Sequence, residues 1–412
     1  MLKVSRIAIL LLMTLVCAIY VPEQVRRLLV ERSFSPFILY SSPLKTFLVR
    51  DRDKDTGQPR MTDLSGKEYT RKEFETALPM FFYKDLAAWG CLPESVDGVK
   101  VTYKKVAMNR QVLSLRPRTL NSPVAPLYPL YESASGFTQL EEPDSMFRVT
   151  GAFEFIDAET NAVDENRSAR FTGALAGKGF VFPAQGIFGN PTARKPFDEG
   201  YFITDAKGSL FHLKMVGGNP WVKNTGLAPS SGIRYIGMDE NPRREFYGLM
   251  IEGNGTASLL SWDTYTPIVL PLKGYDPDTM SLAVYCDLLK RSFVVTDKKA
   301  VRVWVTDRQY RPTASHTYLL AEKKGRELMK RLFPLRVVRA TGESGFALLD
   351  FNWSLEAWAM SLFCVALMMG WRVRQHRGAR HPEDLLLVLL TGGCGLLAVA
   401  LAGCLPSRDV VR

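Results

Sequence analysis

The segment Phe202-Ile-Thr-Asp-Ala-Lys-Gly-Ser-Leu-Phe-His-Leu-Lys-Met215 decides the fold class of this chain. A short apolar stretch enters a polar turn that contains Asp205 and Gly208, and an alternating run follows over residues 209–215. Alternation with a period of two is typical of a half-buried β-strand, and Asp with Gly marks a turn. The segment therefore predicts a β-hairpin.

Similar segments recur through the middle of the chain with a period near 47 residues. Each has an acidic residue between two strand-like runs, and the steps between these residues are 48, 47 and 45. The acidic residues are Asp157, Asp205, Glu252 and Asp297. Backward steps of similar length reach Asn109 and Asp63, and a second alternating run leaves its turn over residues 300–305. Repeats of this length that are rich in hairpins predict a β-propeller. We therefore expect a mainly β, propeller-like domain over residues 40–340, with a β-sandwich or another mixed β architecture as the alternative.

Three segments interrupt the β pattern. Thr70-Arg-Lys-Glu73 forms a capping box, which predicts a helical insertion near 70–89 with a kink at Pro79. Its apolar stripe comprises Phe74, Leu78, Phe81, Phe82 and Leu86. Residues 318–333 also predict a helix, and the Pro-rich residues 117–129 predict an extended connector.

Both ends of the chain are apolar and predict membrane segments. Residues 7–21 follow Lys3 and Arg6, so residues 1–30 predict a signal anchor or transmembrane helix. A signal peptide cleaved after Ala18 is the alternative. Residues 353–372 predict a second transmembrane helix with Trp353, Trp358 and Trp371 at its edges, and residues 385–405 predict a third helix without charge.

The positive charges predict the direction of these segments. The short loop 373–384 carries Arg374, Arg377 and Arg380, and basic residues in a short loop favour the cytoplasmic side. Lys3 and Arg6 favour the same side for the N-terminus. The expected location is the inner (cytoplasmic) membrane, with several passes, the lipid bilayer as a partner and the large domain on the periplasmic, extracytoplasmic side.

The composition limits the partners and the chemistry. There are 53 Lys and Arg residues against 42 Asp and Glu residues, a net charge of +11. The basic residues are scattered and form no run interleaved with aromatics, so no nucleic-acid partner is expected. Of six cysteines, only Cys91 and Cys286 belong to the large domain, and their spacing does not show whether they pair. The absence of a Cys-x-x-Cys motif excludes a zinc ribbon and a thioredoxin-type redox site.

No motif identifies a reaction. Asp51-Arg-Asp-Lys-Asp55 has carboxylates at alternate positions, but an EF-hand needs Gly and Glu where Thr56 and Thr62 stand, so a solvated turn is favoured. His212 alternates in a strand, and His316 follows a turn. Gly342-Glu-Ser-Gly345 and Ser133-Ala-Ser-Gly136 only imitate a serine nucleophile motif. We therefore predict no catalytic, cofactor-binding or metal-binding residue.

The most unusual segment spans residues 178–200, named here the 178–200 loop. It contains Lys178-Gly-Phe-Val-Phe-Pro-Ala-Gln-Gly-Ile-Phe-Gly-Asn-Pro-Thr192 and Lys195-Pro-Phe-Asp-Glu-Gly200. Aromatic side chains between Gly and Pro turns suit a rigid loop that presents a surface. An ordered loop between strands that covers the core is the favoured interpretation.

Several segments resemble a known family. They are Met61-Thr-Asp-Leu-Ser-Gly-Lys-Glu-Tyr-Thr-Arg-Lys-Glu-Phe74, Phe153-Glu-Phe-Ile-Asp-Ala-Glu-Thr-Asn161, Gly189-Asn-Pro-Thr192 and Lys195-Pro-Phe-Asp-Glu-Gly-Tyr201. Together they resemble an uncharacterised family of bacterial membrane proteins with a domain of unknown function. The resemblance covers nearly the whole chain and brings no catalytic residues. It implies an association with ABC-type transport systems.

The leading hypothesis for the function is a membrane-anchored, envelope-facing accessory or scaffold protein without catalytic activity. It would partner a membrane protein such as an ABC-type transporter. Tethering at both ends would keep the domain near such a partner. One alternative is a sensor or binding module for a small envelope ligand, such as a glycan or a peptide. Another is a hydrolase with dispersed carboxylates, which would need two acidic groups at catalytic distance in a deep cleft.

Overall fold

The computed structural model describes residues 2–29, 36–53, 56–320, 329, 332–339, 347–351, 354–374 and 382–403. The chain divides into two compact units. The larger unit is Ser35–Leu320, and the smaller unit combines Met1–Phe34 with Ala321–Arg412. The predicted hairpins belong to the larger unit, and the apolar ends belong to the smaller one.

The helices in chain order are α1 (Leu2–Leu29), α2 (Arg71–Thr76), α3 (Tyr83–Ala88), α4 (Tyr103–Asn109), α5 (Pro117–Asn121), α6 (Glu165–Gly177), α7 (Leu355–Arg374), α8 (Pro382–Thr391) and α9 (Gly393–Gly403). The strands up to the middle of the chain are β1 (Phe37–Ser41), β2 (Thr46–Arg52), β3 (Pro59–Asp63), β4 (Ser95–Val96), β5 (Val99–Lys100), β6 (Gln111–Leu115), β7 (Tyr128–Pro129), β8 (Ser145–Val149), β9 (Phe153–Asp157), β10 (Gly186–Gly189), β11 (Tyr201–Thr204) and β12 (Leu210–Val216). The later strands are β13 (Asn219–Asn224), β14 (Ile233–Met238), β15 (Phe246–Glu252), β16 (Ala257–Ser261), β17 (Pro267–Val269), β18 (Ser281–Cys286), β19 (Arg291–Thr296), β20 (Ala300–Thr306), β21 (Pro312–Leu319), β22 (Leu335–Arg339) and β23 (Ala347–Phe351).

The larger unit is mostly β and consists of several small antiparallel sheets. The first sheet has the order β1-β2-β3, the second β7-β8-β9, the third β10-β11-β12-β13 and the fourth β14-β15-β16-β17. The fifth sheet has the order β21-β20-β19-β18-β6, so a strand from early in the chain pairs with a later hairpin. The hairpin predicted from residues 202–215 is β11 and β12, with Phe202 opposite His212.

The sheets form an open series, and the prediction of a closed propeller is wrong. Buried apolar clusters join the second sheet to the third, the third to the fourth, the fourth to the fifth and the fifth to the first. Among the described residues, no such cluster joins the second sheet to the first. Helix α6 covers this end of the series instead, since the ring of Phe171 lies 5.2 Å from that of Phe153 and 4.8 Å from that of Phe155.

The 47-residue period records a repeated turn. Asp63, Asp157, Asp205 and Asp297 each end a strand or directly follow one, and their carboxylates accept hydrogen bonds from backbone N–H groups two to four residues later. Such Asx turns recur wherever a strand ends in a tight polar turn. Glu252 also begins a turn, whereas Asn109 ends helix α4. A shared turn therefore produced the repeat without equal blades.

The predicted helix over residues 70–89 is two helices. The capping box is present, because Thr70 accepts from Glu73 and Glu73 accepts from the Thr70 backbone. Helix α2 ends before Pro79, and α3 begins at Tyr83, since Pro has no N–H to continue the helical hydrogen bonds. The predicted extended connector 117–129 likewise begins with the short helix α5, which has Pro117 in its first turn.

Residues 318–333 do not begin a helix as predicted. Tyr318 and Leu319 end strand β21. Residues 321–328, 330 and 331 of that prediction lie outside the described residues.

The smaller unit packs α1 with the C-terminal helices. Leu10 shares a buried cluster with Cys364 and Met368 of α7, Val388 of α8 and Val399 of α9. Among the described residues, one helix is long and apolar enough to cross a membrane, over Val4–Val25. Signal sequences near an N-terminus meet the same criterion. The C-terminal helices are short, and residues 393–402 form an apolar one.

The third predicted membrane helix is interrupted at Gly392. This residue has a φ of +60°, and a Cβ there would lie 2.9 Å from Cδ of Pro334. Helical hydrogen bonds continue on both sides, from the Gly392 N–H to the Val388 carbonyl and from the Leu396 N–H to the Gly392 carbonyl. The segment therefore divides into α8 and α9, and residues 404 and 405 lie outside the described residues.

Charged side chains connect three helix ends in the smaller unit. Arg6 near the start of α1 donates to Asp384 at 2.7 Å and to Glu383 at 2.9 Å, both at the start of α8. Arg372 at the end of α7 also pairs with Asp384, whose side chain is fully buried. The start of α1, the end of α7 and the start of α8 therefore lie together.

Candidate functional site

The acidic turn at residues 51–55 is held by local contacts. Asp51 lies in β2 and accepts a hydrogen bond from the Tyr318 hydroxyl at 3.0 Å. Asp53 accepts from the N–H and the hydroxyl of Thr56, while Lys54 and Asp55 lie outside the described residues. Within the described ranges, no group of three or more His, Cys, Asp or Glu side chains is placed to hold a metal ion.

His212 is a buried histidine of the core, as its strand pattern predicted. Its Nε2 lies 2.6 Å from the Glu199 carbonyl oxygen, and its Nδ1 lies 2.9 Å from the Tyr265 hydroxyl. Because a carbonyl only accepts, Nε2 carries the proton and Nδ1 accepts from Tyr265. Burial lowers the pKa of His212 to about 3. The imidazole is therefore neutral near pH 7, and its packing on Phe202 at 4.5 Å indicates a structural role.

The 178–200 loop contributes a buried charge cluster around Lys195. The Nζ of Lys195 lies 2.6 Å from Asp198 and 3.2 Å from Glu240, and all three side chains are at most 2% exposed. Ser133 donates to Asp198 at 2.7 Å, and Asn190 donates to Glu240 at 2.7 Å. Buried charges persist only with such partners, so this cluster fixes the loop on the core.

The Lys195 cluster bears on the hydrolase alternative. Two carboxylates do meet, but the ammonium of Lys195 lies between them and solvent does not reach them. Burial raises the pKa of the Glu240 carboxyl, while Lys195 and Asn190 oppose that rise. Ser133 has Asp198 as its acceptor, and residues 342–345 lie outside the described residues. The loop therefore covers the core, as expected, and Lys195 with Asp198 stabilises it.

A second buried network lies at the ends of β6, β18 and β19. Arg291 is 1% exposed and binds Glu245 through two hydrogen bonds, at 2.9 and 2.6 Å. Arg243 donates to the Asn109 carbonyl at 2.9 Å and to Gln111 at 3.0 Å. These contacts hold the backbone at residues 109–111, where the chain passes from α4 into β6.

A cleft opens beside this network between the first sheet and the outer face of the fifth. We name it the Arg110 cleft. Its lining residues come from β1, the turns after β1 and α2, the start of β6 and the ends of β18 and β19, and they are Leu39, Tyr40, Ser42, Pro43, Leu78, Pro79, Met80, Phe81, Arg110, Val112, Tyr285, Cys286, Asp287 and Ser292. Val112 and Tyr285 are paired across neighbouring strands, so both face the cleft.

Arg110 is the charged group that the cleft holds without an anionic partner. Its guanidinium lies over the ring of Phe81, with Cζ 5.1 Å from the ring centroid. Its Nε is buried and has no hydrogen-bond acceptor among the described residues. The Asp287 carboxylate in the same cleft accepts from the N–H groups of Leu289 and Lys290, at 2.6 and 2.7 Å. Arg110 is therefore a donor and a cation available to a ligand.

The chemistry of the cleft suits binding. Burial raises the pKa of the Cys286 thiol to about 11, so this sulfur is protonated near pH 7 and is a weak nucleophile. The cleft encloses about 30 Å³, which is enough for about two water-sized groups. A carboxylate fits this space.

A family model described as a domain of unknown function, DUF4857, matches residues 37–306. The chain belongs to this family. A search of curated proteins finds no match. The DUF4857 domain begins at β1 and ends with β20, so it contains all the strands that line the Arg110 cleft.

Sequence reasoning missed Arg110 and the Lys195 cluster for different reasons. The 178–200 loop was unusual enough to be noticed, but the partner Glu240 is distant in sequence. Arg110 lies beside the repeat position Asn109 and carries no motif. Cys91 is exposed and Cys286 is buried, and both thiols are free in the DUF4857 domain, so they do not pair.

Proposed function

We propose that this chain is a membrane-anchored, envelope-facing accessory or scaffold protein of the inner membrane that acts by binding. In this proposal the protein passes the membrane several times and its DUF4857 domain lies on the outer, periplasmic side. Its partner is a membrane protein, such as an ABC-type transporter. The arrangement of charges at one end of the helices in the smaller unit carries the proposal.

The apolar surface of α1 supports a place in the bilayer. Val4, Leu12 and Leu28 are 71%, 62% and 84% exposed, so large apolar side chains point away from the smaller unit. Exposed apolar side chains in such numbers are unfavourable in water and favourable among lipid chains. Residues 382–403 together would extend about 33 Å as helix, which is enough to span a hydrocarbon core.

The charge cluster supports the orientation. Arg6, Arg372 and Asp384 meet, so the N-terminus and the loop 375–381 belong to the same side. Arg374 adds to the positive charge there, and positive charge favours the cytoplasmic side. The chain leaves α1 and enters α7 at the opposite ends of those helices. Residues 35–320 then belong to the outer side.

The Arg110 cleft supports binding as the mode of action. It offers a guanidinium without an anionic partner beside aromatic rings, which is a common composition of binding sites. Small-molecule sites usually have volumes of about 300–1,000 Å³. The enclosed 30 Å³ is much smaller, which favours one anchoring side chain of a partner over a glycan.

Site-specific photocrosslinking in intact cells tests the proposal. A photoreactive residue at Val112, which lines the cleft and is 42% exposed, should form an adduct with an integral membrane protein identified by mass spectrometry. The same residue at Val269, which is 64% exposed on β17 of another sheet, is the control. The absence of a membrane-protein adduct at Val112, or the same adducts at both positions, would contradict the proposed function.

A further inference from the structure

Arg110 differs from the other arginines that meet near the cleft. Arg291 has Glu245 as a two-point partner, and the Nε of Arg243 lies 2.9 Å from the same carboxylate. The Nε of Arg110 is equally withdrawn from water but has no acceptor among the described residues. A buried donor without an acceptor destabilises the folded state, so a ligand that supplies an acceptor would be bound favourably.

The position of Arg110 is well defined. The Asn241 side chain donates to the Arg110 carbonyl at 3.1 Å, and Arg243 donates to the Asn109 carbonyl at 2.9 Å. These two bonds fix the backbone on both sides of the side chain's attachment. The ring of Phe81 then supports the guanidinium plane. A guanidinium fixed in this way loses little freedom on binding and presents its N–H groups to a planar anion.

The surroundings of Arg110 favour a ligand that is both anionic and apolar. Pro43, Pro79, Tyr40, Phe81 and Tyr285 line the cleft. Three large apolar side chains lie at the cleft or within two residues of a lining position, and they are about half exposed: Leu44, Met108 and Val112. Exposed apolar side chains around a buried polar anchor are typical of a protein-binding surface.

We propose that the Arg110 cleft binds a carboxylate on a partner polypeptide, either an acidic side chain or a chain terminus, with an apolar residue beside it. This inference rests on the proposed function and names the chemistry of its partner. The carboxylate occupies the enclosed space and pairs with the guanidinium of Arg110. The neighbouring apolar residue lies against Leu44, Met108 and Val112. A sugar ring or a phospholipid headgroup is too large for the enclosed volume.

Peptide binding to the full-length protein in detergent tests this inference. The probes are fluorescein-labelled peptides with Glu, Asp or a free C-terminus next to Leu or Phe, each compared with its amide counterpart by fluorescence anisotropy. We expect at least one acid peptide to bind about tenfold more tightly than its amide, since hydrogen bonds to charged groups are strong. Arg110→Gln should remove this difference, and Arg110→Lys should restore part of it.

Arg308→Gln is the matched control, because Arg308 is exposed in the turn between β20 and β21. It should leave peptide binding unchanged. Thermal unfolding of Arg110→Gln should match that of the control, since Arg110 makes no side-chain hydrogen bond among the described residues. The inference is overturned if no acid peptide exceeds its amide, if Arg110→Gln retains the difference, or if phosphatidylglycerol vesicles compete as well as the acid peptides.

The peptide result and the crosslinking result separate two failures. A membrane-protein adduct at Val112 without any preference for acid peptides would leave the proposed function standing and refute the carboxylate. A preference for acid peptides without a membrane-protein adduct would support the ligand chemistry and refute the accessory role at the membrane.

Discussion

His212 shows how one buried side chain makes the stability of the domain depend on pH. Burial lowers its pKa to about 3 in the folded protein, whereas an exposed histidine has a pKa near 6.5. Between these values the unfolded chain binds the additional proton. The stability that depends on the neutral His212 is therefore present above pH 6.5 and is lost as the pH falls below it.

We expect the free energy of unfolding to fall from pH 6.5 to pH 5 by up to about 1.4 kcal/mol per pH unit because of His212. His212→Gln should flatten this slope, and His316→Gln should not. Urea titrations monitored by tryptophan fluorescence at several pH values would measure both. An unchanged slope in the His212 variant would show that this imidazole is not held neutral by the fold.

Glu245 is expected to be one of the most sensitive residues of the domain. Glu245→Ala leaves Arg291 buried without its partner, and the loss of one member of a buried ion pair costs about 3–5 kcal/mol. Glu154→Ala removes the partner of Arg148, which is 43% exposed, and should cost less than about 1 kcal/mol. Chemical denaturation of both variants measures the contrast. Equal losses would refute the role of burial.

At the residue scale, sequence reasoning succeeds where a side chain's role follows from its own strand. The alternation around His212 was enough to predict a packed histidine. The partners of Lys195 and the surroundings of Arg110 come from segments more than 40 residues away, and a single sequence carries no record of such contacts. For that reason the candidate site was not predicted.

Strands β14 and β15 approach each other so closely that only glycine fits between them at one position. A Cβ at Gly248 would lie 2.1 Å from the Gly237 carbonyl oxygen. Gly173 in α6 differs, because a Cβ there would meet nothing within 4 Å. The same substitution at the two positions therefore has opposite expected effects.

Gly248→Ala should destabilise the larger unit by about 1–3 kcal/mol, because the strands must move apart. Gly173→Ala should stabilise it by about 0.5–1 kcal/mol, because alanine favours a helix interior. Thermal unfolding of the two variants side by side measures both signs. A stable Gly248→Ala variant would contradict the observed approach of the two strands.

At the element scale, local signals were reliable and long-range ones were not. The capping box at Thr70 and the strands over residues 209–215 and 300–305 are present because each depends on neighbours in sequence. The helix over residues 70–89 was predicted too long because the break at Pro79 was taken for a kink. Pairing of β6 with β18, about 170 residues later, had no local signal.

On the scale of the whole molecule, the period of turns was mistaken for a period of blades. Asx turns at Asp63, Asp157, Asp205 and Asp297 produce a regular spacing, but the sheets that they join have three to five strands. A ring needs nearly equal units to close, and these are unequal. The mostly β character of the domain was predicted, and its open arrangement was not.

The central claim at this scale is that the DUF4857 domain lies outside the cytoplasm while the charged helix ends lie inside. The chain carries a natural probe of that claim. Cys91 is the exposed cysteine of the described residues, and Cys17, Cys286, Cys364 and Cys394 are buried. A membrane-impermeant reagent should therefore report the side of the membrane on which Cys91 lies.

Labelling of spheroplasts with a membrane-impermeant maleimide linked to polyethylene glycol tests the claim most directly. The account predicts that the wild-type protein is labelled equally with and without permeabilisation of the membrane, and that Cys91→Ser abolishes this label. If Cys91 is labelled only after permeabilisation, the domain lies in the cytoplasm and the orientation proposed here is wrong.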